Sequence, residues 1–219
     1  MTVSIENFVK AIYKQSMLSN ADTKLGTIAG LLNISNAAAT DMARNLARKK
    51  LVNYTKYKPL TLTPSGRKLA LNVLRKHRLW ESFLHKTLNL SLHEIHREAE
   101  QLEHLSSDFL TDKIEQYLGR PAVDPHGDPI PAENGKMVTD DTQLLLSEAE
   151  AGNHYKISRL SGSERDFFDF CAASRIEIGS RIWVEKQYDS NRMTEIRIDN
   201  NKVLLTDVYT NVIFVSQAE

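Results

Sequence analysis

The sequence predicts a multidomain α+β protein, because its hydrophobic pattern changes twice along the chain. Up to about residue 118, apolar residues recur at the three- and four-residue spacing of amphipathic helices. Residues 119–131 are rich in proline and glycine, which interrupt regular structure. From about residue 144, five short alternating segments favour a small β-barrel. We therefore expect three domains, which are residues 1–72, 73–140 and 141–219.

Composition places the chain among ordinary globular proteins, with 41% hydrophobic and 26% charged residues. The sequence has neither an apolar run of about 18 residues nor the hydrophobic segment of a signal peptide, so we expect no membrane partner. The single cysteine, Cys171, excludes an intramolecular disulfide framework and fits a reducing cytoplasm. Because phenylalanines surround it in the sequence, we expect Cys171 in a core rather than on a metal.

The N-terminal pattern predicts a winged helix-turn-helix. Three helices are expected, at residues 4–18, 24–32 and 36–50. The second and third are joined by a tight turn at Asn33-Ile34-Ser35, and Ser35 or Asn36 can cap the third helix. Residues 51–55 and 60–63 then alternate as strands around Lys56-Tyr57-Lys58-Pro59, which indicates a β-hairpin wing.

Charge supports a DNA-binding role for this region. Residues 1–75 contain twelve Lys and Arg against three Asp and Glu, a net charge of +9 in a chain whose formal net charge is zero. The candidate contacts to double-stranded DNA are Ser35, Asn36, Ala38, Thr40, Asp41 and Arg44 on the third helix, with Lys49, Lys56 and Lys58 for phosphates. The alternative for Asn36 and Asp41 is that they only cap and solubilise the helix.

The helical middle region carries histidine and carboxylate side chains at helical spacing. Helices are expected at residues 67–88, 92–105 and 106–118. Four potential ligands recur at offsets of four, seven and eight residues, which places them on one helical face: His96, Glu100, Glu103 and His104. His77 and Glu81 repeat the pattern at i, i+4. Two such helices can enclose a divalent ion, and the alternative is that both are solvated polar faces.

Several spaced motifs occur together in one order. The winged helix-turn-helix is followed by Arg75-Lys76-His77-Arg78-Leu79-Trp80-Glu81, then by Glu100-x-x-Glu103-His104, then by Gly127-Asp128-Pro129-Ile130-Pro131. Over about residues 4–132 the chain resembles the diphtheria toxin repressor family, whose members are iron- or manganese-dependent transcriptional regulators. Its last eighty residues or so resemble the SH3-like domain of longer members, most closely over 168–180. The resemblance implies a homodimer in which metal binding positions two winged helices on a palindromic operator.

The resemblance implies a main regulatory metal site at Asn7, Glu100, Glu103 and His104. The first-helix ligand is Met in typical iron members and Asp in typical manganese members, and here it is Asn7. Glu100 matches the manganese members, and a set of oxygen and nitrogen donors suits Mn²⁺ or Fe²⁺. Lys10 replaces a carboxylate of two-domain manganese members, so we do not expect their binuclear site. The alternative for Asn7 is a cap or hydrogen bond within the first helix.

A second metal site has two implied compositions. The iron type maps to His77, Glu81, His96 and Glu164, with a further position at Phe167, which cannot bind metal. The three-domain manganese type uses a Cys-Pro-His segment, which here is Asp124-Pro125-His126. We favour the set His77, Glu81, Asp124 and His126, with His96 and Glu164 as further candidates. The alternative is that Asp124 and His126 are only turn residues.

The expected function is a cytoplasmic, metal-activated repressor of metal-uptake genes without a small-molecule substrate. Metal ligation would fix the first helix and the DNA-binding domain relative to the dimer core. One alternative class is a metallohydrolase or di-metal oxidase, but the helices lack paired Glu-x-x-His and the chain lacks His-Glu-x-x-His. The other alternative is a metal-independent winged-helix regulator that senses a peptide or small molecule through the SH3-like domain.

Overall fold

A computed structural model describes residues 2–18, 21–138, 142–162, 164–188 and 190–218. The chain divides into two units. The first comprises Met1–His77, Gln101–Ser107 and Pro131–Lys136, and the second comprises Arg78–Glu100, Asp108–Ile130 and Met137–Glu219. Of the described helices, none has the length and hydrophobicity that spanning a bilayer requires.

The first unit begins with a winged helix-turn-helix, as predicted. Its elements are α1 (Val3–Ser16), α2 (Leu25–Leu31), α3 (Asn36–Arg48), β1 (Val52–Asn53) and β2 (Thr61–Leu62). The two strands pair antiparallel and form the wing. The Ser35 hydroxyl accepts a hydrogen bond from the Ala38 amide at 3.2 Å, which caps α3. Ala39, Ala43 and Leu46 bury one face of α3 and leave the opposite face exposed.

The helical middle region contains α4 (Pro64–Leu88), α5 (Leu92–Leu102) and α6 (Asp108–Leu118). The expected continuation of α5 to Leu105 is wrong. Residues 103–105 form a turn in which the Leu102 carbonyl accepts hydrogen bonds from the amides of Leu105 and Ser106, both at 3.2 Å. Glu103 and His104 therefore lie just beyond the helix that carries His96 and Glu100, and the four do not share one continuous helical face.

The C-terminal region is a six-stranded antiparallel sheet, which confirms the expected SH3-like β domain. Its strands are β3 (Leu144–Leu145), β4 (His154–Leu160), β5 (Arg181–Tyr188), β6 (Met193–Ile198), β7 (Asn201–Thr206) and β8 (Ile213–Gln217), in the order β3-β8-β4-β5-β6-β7. The short β3 was not predicted from the sequence. The α-helices α7 (Arg165–Ala173) and α8 (Asp207–Thr210) accompany the sheet, together with a 3₁₀ helix at Leu146–Glu148. None of them was predicted from the sequence.

The core of this domain follows from the alternation of its strands. Ile157 on β4, Val184 on β5 and Ile196 on β6 are fully buried. Cys171 on α7 packs in the same core and is 2% exposed, as expected for a structural rather than a reactive thiol. Burial raises the pKa of Cys171 to about 12.

Candidate metal centres and DNA-binding surface

Glu103 is the centre of a buried polar cluster in the first unit. The Lys10 ammonium donates to Glu103 Oε1 at 2.6 Å, and His77 Nδ1 lies 2.7 Å from Glu103 Oε2. Glu103 is 1% exposed and Lys10 is 7% exposed. A carboxylate buried to this degree requires such partners, because an unpaired charge would lose its hydration without compensation. The cluster joins the turn after α5 to α1 and α4.

His104 is oriented by a second carboxylate. Its Nδ1 lies 2.6 Å from Glu6 Oε2, and its Nε2 lies 3.1 Å from Glu103 Oε1. An ionised carboxylate only accepts hydrogen bonds, so Nδ1 of a neutral ring carries the proton and Nε2 carries the lone pair. Within the described part of the chain, Nε2 is buried and makes no hydrogen bond. A carboxylate on one ring nitrogen with the other nitrogen available is the usual arrangement of a metal-binding histidine.

Asn7, on α1, also has a buried atom without a hydrogen-bond partner among the described residues, its Oδ1. Leaving a buried acceptor unpaired costs about 1–3 kcal/mol, so such an atom is expected to meet a ligand or a water. Asn7, Glu103 and His104 all belong to the first unit. Glu100 is half-buried on α5 in the second unit, where its Oε1 lies 4.0 Å from His96 Nε2.

Within the second unit, a further cluster of polar side chains surrounds Glu81. Glu81 Oε1 lies 3.0 Å from His96 Nδ1 and 3.4 Å from His126 Nε2. These residues come from α4, α5 and the loop after α6, and Glu81 is 2% exposed. Neither ring nitrogen of His126 has a hydrogen-bond partner in the described ranges. One carboxylate and two imidazoles form a donor set that fits a divalent transition-metal ion.

Asp124 shapes the turn that presents His126. Its Oδ1 accepts hydrogen bonds from the amides of His126 and Asp128, both at 2.9 Å. Its Oδ2 lies 3.7 Å from Arg78 Nε. Burial, together with the negative charges of Glu81 and Asp128, raises the pKa of Asp124 well above its usual range. Through Oδ1, Asp124 therefore acts as a turn residue, which was the alternative to a metal ligand in the sequence analysis.

The same loop is held against the C-terminal sheet within the second unit. The Leu160 amide on β4 donates to the His126 carbonyl at 2.8 Å. Gly127 has φ +85°, and a Cβ there would lie 2.1 Å from the Ser158 carbonyl oxygen. Only glycine allows this approach at this backbone conformation. Arg159 then pairs with Asp128 at 3.5 Å.

The remaining second-site candidates are His77 and Glu164. His77 contacts Glu103 in the first unit. Glu164 is the exposed N-cap residue of α7. Phe167 is 4% exposed and belongs to the core of the β domain, as its side chain predicts.

The predicted DNA-contacting residues lie along α3 and the wing. Those exposed are Ser35, Asn36, Ala38, Asp41, Arg44, Lys49, Lys56 and Lys58, and Thr40 is half-buried. Asp41 and Arg44 form an exposed ion pair at 3.6 Å. The Thr40 hydroxyl donates to the Asn36 carbonyl at 2.7 Å, so its hydrogen is used within α3.

The sequence analysis did not single out Tyr57 at the wing or Glu6 beside His104. Tyr57 is 89% exposed at the wing, with φ +66° and its ring 4.7 Å from Lys56 Nζ. An aromatic residue between two lysines at a hairpin turn was a local signal for it. Glu6 carries no such signal, because its partner His104 is 98 residues away in the chain.

Family models match most of the first two predicted regions. The N-terminal DNA-binding domain of iron-dependent repressors matches residues 1–60. The metal-binding and dimerisation domain of iron-dependent repressors matches residues 63–132. The diphtheria toxin repressor of Corynebacterium glutamicum is 36% identical over 164 residues, which are 71% of this chain and 72% of that protein. The chain belongs to the diphtheria toxin repressor family.

Solved structures extend the likeness over nearly the whole chain. An uncharacterised HTH-type transcriptional regulator of Methanocaldococcus jannaschii is 36% identical over 54% of this chain and 94% of its own length. A manganese-dependent transcriptional repressor in complex with manganese superposes with a TM-score of 0.92 at 31% identity, over 98% of this chain and 100% of that chain. ScaR with bound Cd²⁺ superposes with a TM-score of 0.84 at 29% identity, over 98% and 99% of the two chains. The chain is thus a metal-dependent transcriptional repressor, as the sequence predicted.

Proposed function

We propose that this repressor is activated by Mn²⁺ in preference to Fe²⁺, binds its operator as a homodimer and controls genes for metal uptake. Carboxylate, imidazole and amide donors form a hard set, and no thiolate competes because Cys171 is buried in the β-domain core. Similarity to a manganese-dependent repressor over nearly the whole chain also supports Mn²⁺ as the activating ion.

The observation that carries the proposal is the pair of buried, unsatisfied atoms in the first unit. Asn7 Oδ1 and His104 Nε2 make no hydrogen bond to any described residue, although both are buried. The residues fit a divalent ion held by Asn7, Glu103 and His104. We also include Glu100 as a ligand, because the motif Glu100-x-x-Glu103-His104 contains it. A bound ion would supply positive charge and directional bonds at these donors.

The proposed switch lies in the connection between α1 and the turn after α5. Asn7 belongs to α1, whereas Glu103 and His104 belong to the segment that follows α5. When a metal ion holds these side chains together, α1 can no longer move freely relative to the turn after α5. The ordered state then binds operator more tightly, and by linkage the operator tightens metal binding by the same factor.

We propose a second metal centre at Glu81, His96 and His126. The contacts of Glu81 Oε1 with both imidazoles support it. Asp124 orients His126 through the turn and remains a candidate ligand through Oδ2, which makes no hydrogen bond within the described ranges. His77 and Glu164 remain further candidates.

Exposed apolar side chains in the second unit support a homodimer. Leu88, Phe109 and Tyr117 are 60%, 71% and 62% exposed. Contact with a second copy would remove the apolar area of these side chains from water. All three lie within the match to a family domain described as a dimerisation domain, so a second copy of this chain is the proposed partner.

We assign operator binding to residues 1–72, dimerisation and metal binding to residues 73–140, and the SH3-like domain to residues 141–219. The proposed phosphate and base contacts are those of α3 and the wing, from Ser35 to Lys58. The protein is proposed to act in the cytoplasm, as a regulator rather than an enzyme and without a small-molecule substrate.

Operator binding as a function of metal tests this proposal. Fluorescence anisotropy in chelator, in Mn²⁺ and in anaerobic Fe²⁺ should show an increase in operator affinity of at least about tenfold with metal, strongest with Mn²⁺. His104→Ala should lose the increase, because it removes a ligand, while remaining a folded dimer. His154→Ala removes an exposed histidine of β4 and should respond as the wild type does. Equal affinity of the wild type in chelator and in metal would favour the metal-independent regulator instead.

A further inference from the structure

A lysine ammonium lies inside the donor cluster of the first unit. Lys10 is on α1, where its neighbours Phe8, Val9 and Ile12 are apolar and buried. Its Nζ lies 2.6 Å from Glu103 Oε1, and the side chains of Lys10 and Glu103 are 8% and 0% exposed. The same oxygen lies 3.1 Å from His104 Nε2. One carboxylate oxygen thus contacts the ammonium and also lies beside the imidazole nitrogen available for metal.

A metal ion and the ammonium would compete for this oxygen. Two neighbouring ligands of an octahedral ion with bonds of about 2.1 Å lie about 3 Å apart, which is the separation of Glu103 Oε1 and His104 Nε2. An ion bound to both atoms would lie within a few ångströms of Lys10 Nζ. Two cations at that distance repel strongly in a buried site, where water screens them poorly.

We propose that Lys10 is a built-in cation that holds Glu103 in the metal-free protein and must release Glu103 Oε1 when a divalent ion binds. The inference rests on the metal centre of the proposed function. The ion pair weakens metal binding, because breaking it opposes ligation. It also keeps α1 attached to the turn after α5 when metal is absent, so the metal-free protein retains part of the order that metal completes.

A second contact between the same segments makes the role of Lys10 testable. Glu6, also on α1, binds His104 Nδ1 at 2.6 Å, so α1 keeps a link to the turn when Lys10 is replaced. Methionine has nearly the length of lysine and suits the apolar neighbours of Lys10. Lys10→Met therefore removes the charge while it preserves most of the packing.

The experiment compares Lys10→Met with Lys14→Met in the full-length protein. Lys14 is exposed on the same helix, so its variant loses the same charge away from the cluster. Calorimetric titration with Mn²⁺ should give an affinity at least about tenfold higher for Lys10→Met than for the wild type, and an unchanged affinity for Lys14→Met. In chelator, Lys10→Met should have a lower Tm than the wild type. Saturating Mn²⁺ should raise the Tm of Lys10→Met by more than it raises the Tm of the wild type.

The opposite effects of the substitution in chelator and in Mn²⁺ separate competition from a purely structural role. If Lys10→Met lowers the Tm equally in both conditions and binds Mn²⁺ no more tightly, the inference is wrong. Lys10→Gln keeps a hydrogen-bond donor for Glu103 but removes the charge, and it is measured in the same experiments. If Lys10→Met does not fold, the Mn²⁺ affinity and Tm of Lys10→Gln decide between the two outcomes. If the wild type and His104→Ala bind Mn²⁺ equally, the proposed metal centre itself fails, which is a distinguishable result.

Discussion

At the scale of single residues, the proposed metal centre of the first unit depends on which atoms of His104 already have partners. Glu6 holds Nδ1 at 2.6 Å, and Nε2 is left buried without a hydrogen bond to the described residues. The ring is thereby fixed in orientation and tautomer before any ion arrives. Preorganisation of this kind reduces the entropy that ligand binding must overcome.

Glu6→Ala tests this orientation. Removal of the carboxylate should lower Mn²⁺ affinity by about ten- to a hundredfold while all proposed ligands remain, because the imidazole loses its orienting partner. Calorimetric Mn²⁺ titration measures the effect, and the operator affinity at saturating Mn²⁺ should change little. Glu133→Ala, which removes an exposed acid of the first unit, is the control for net charge. Wild-type Mn²⁺ affinity in Glu6→Ala would show that the Glu6 contact does not prepare the site.

At the scale of elements, the loop after α6 connects the second candidate centre to the β domain. Asp124 folds the turn, His126 faces Glu81, and β4 holds the backbone through the amide of Leu160. The β domain holds this loop in place and would thereby position His126 in the proposed second centre. If the second centre binds metal as proposed, this contact gives the SH3-like domain a role that requires no bound peptide or small molecule.

Gly127→Ala tests the loop with a matched control. Its Cβ would lie 2.1 Å from the Ser158 oxygen, so the loop must move away from β4 and displace His126. Gly152 has a nearly identical φ of +86°, but a Cβ there would have nothing within 4 Å, so Gly152→Ala introduces the backbone strain alone. We expect Gly152→Ala to lose about 1 kcal/mol of unfolding free energy and Gly127→Ala to lose more.

Denaturant unfolding measures these losses, and metal titration should show weaker binding at the second centre only in Gly127→Ala. Equal losses of stability in the two variants, with equal metal binding, would mean that the approach of the loop to β4 does not position His126.

At the scale of the whole molecule, the proposed assembly places exposed apolar side chains of the second unit between two copies of the chain. Phe109 on α6 is 71% exposed, and Phe83 and Tyr117 stack edge to face with ring centroids 5.8 Å apart. A palindromic operator requires two DNA-binding domains in a fixed relation, so operator affinity should depend on this contact.

Phe109→Glu should convert the dimer to a monomer, because it places a charge in an apolar interface. Sedimentation velocity measures the oligomeric state, and anisotropy should show at least about tenfold weaker operator binding in Mn²⁺. Val208→Glu, at a 69% exposed position of α8, should remain dimeric. A dimeric Phe109→Glu protein would move the interface away from α6.

The sequence alone determined the order and type of most elements and the motifs of the family. Hydrophobic spacing is a local property, so it predicted α1 to α6, the wing and five of the six strands of the β domain. It failed at the turn of residues 103–105 and at the two-residue β3, which have little local signal. It also did not predict α7 and α8, which lie in a region that it interpreted as strands alone. The spacing of Glu100, Glu103 and His104 also carried the resemblance on which the main site rests.

Only the tertiary structure decided which polar residues meet. Lys10 and Glu103 are 93 residues apart in the chain, and Glu6 and His104 are 98 residues apart. The sequence identified Lys10 as a departure from the two-domain manganese members, but it did not show that the ammonium binds the carboxylate of a proposed ligand. Likewise, the sequence left Asp124 open as a metal ligand or a turn residue. The structure shows that its Oδ1 accepts two backbone amides, while its Oδ2 remains a candidate donor. Such pairings depend on the packing of distant segments, which brings charges together in a buried environment that no local pattern records.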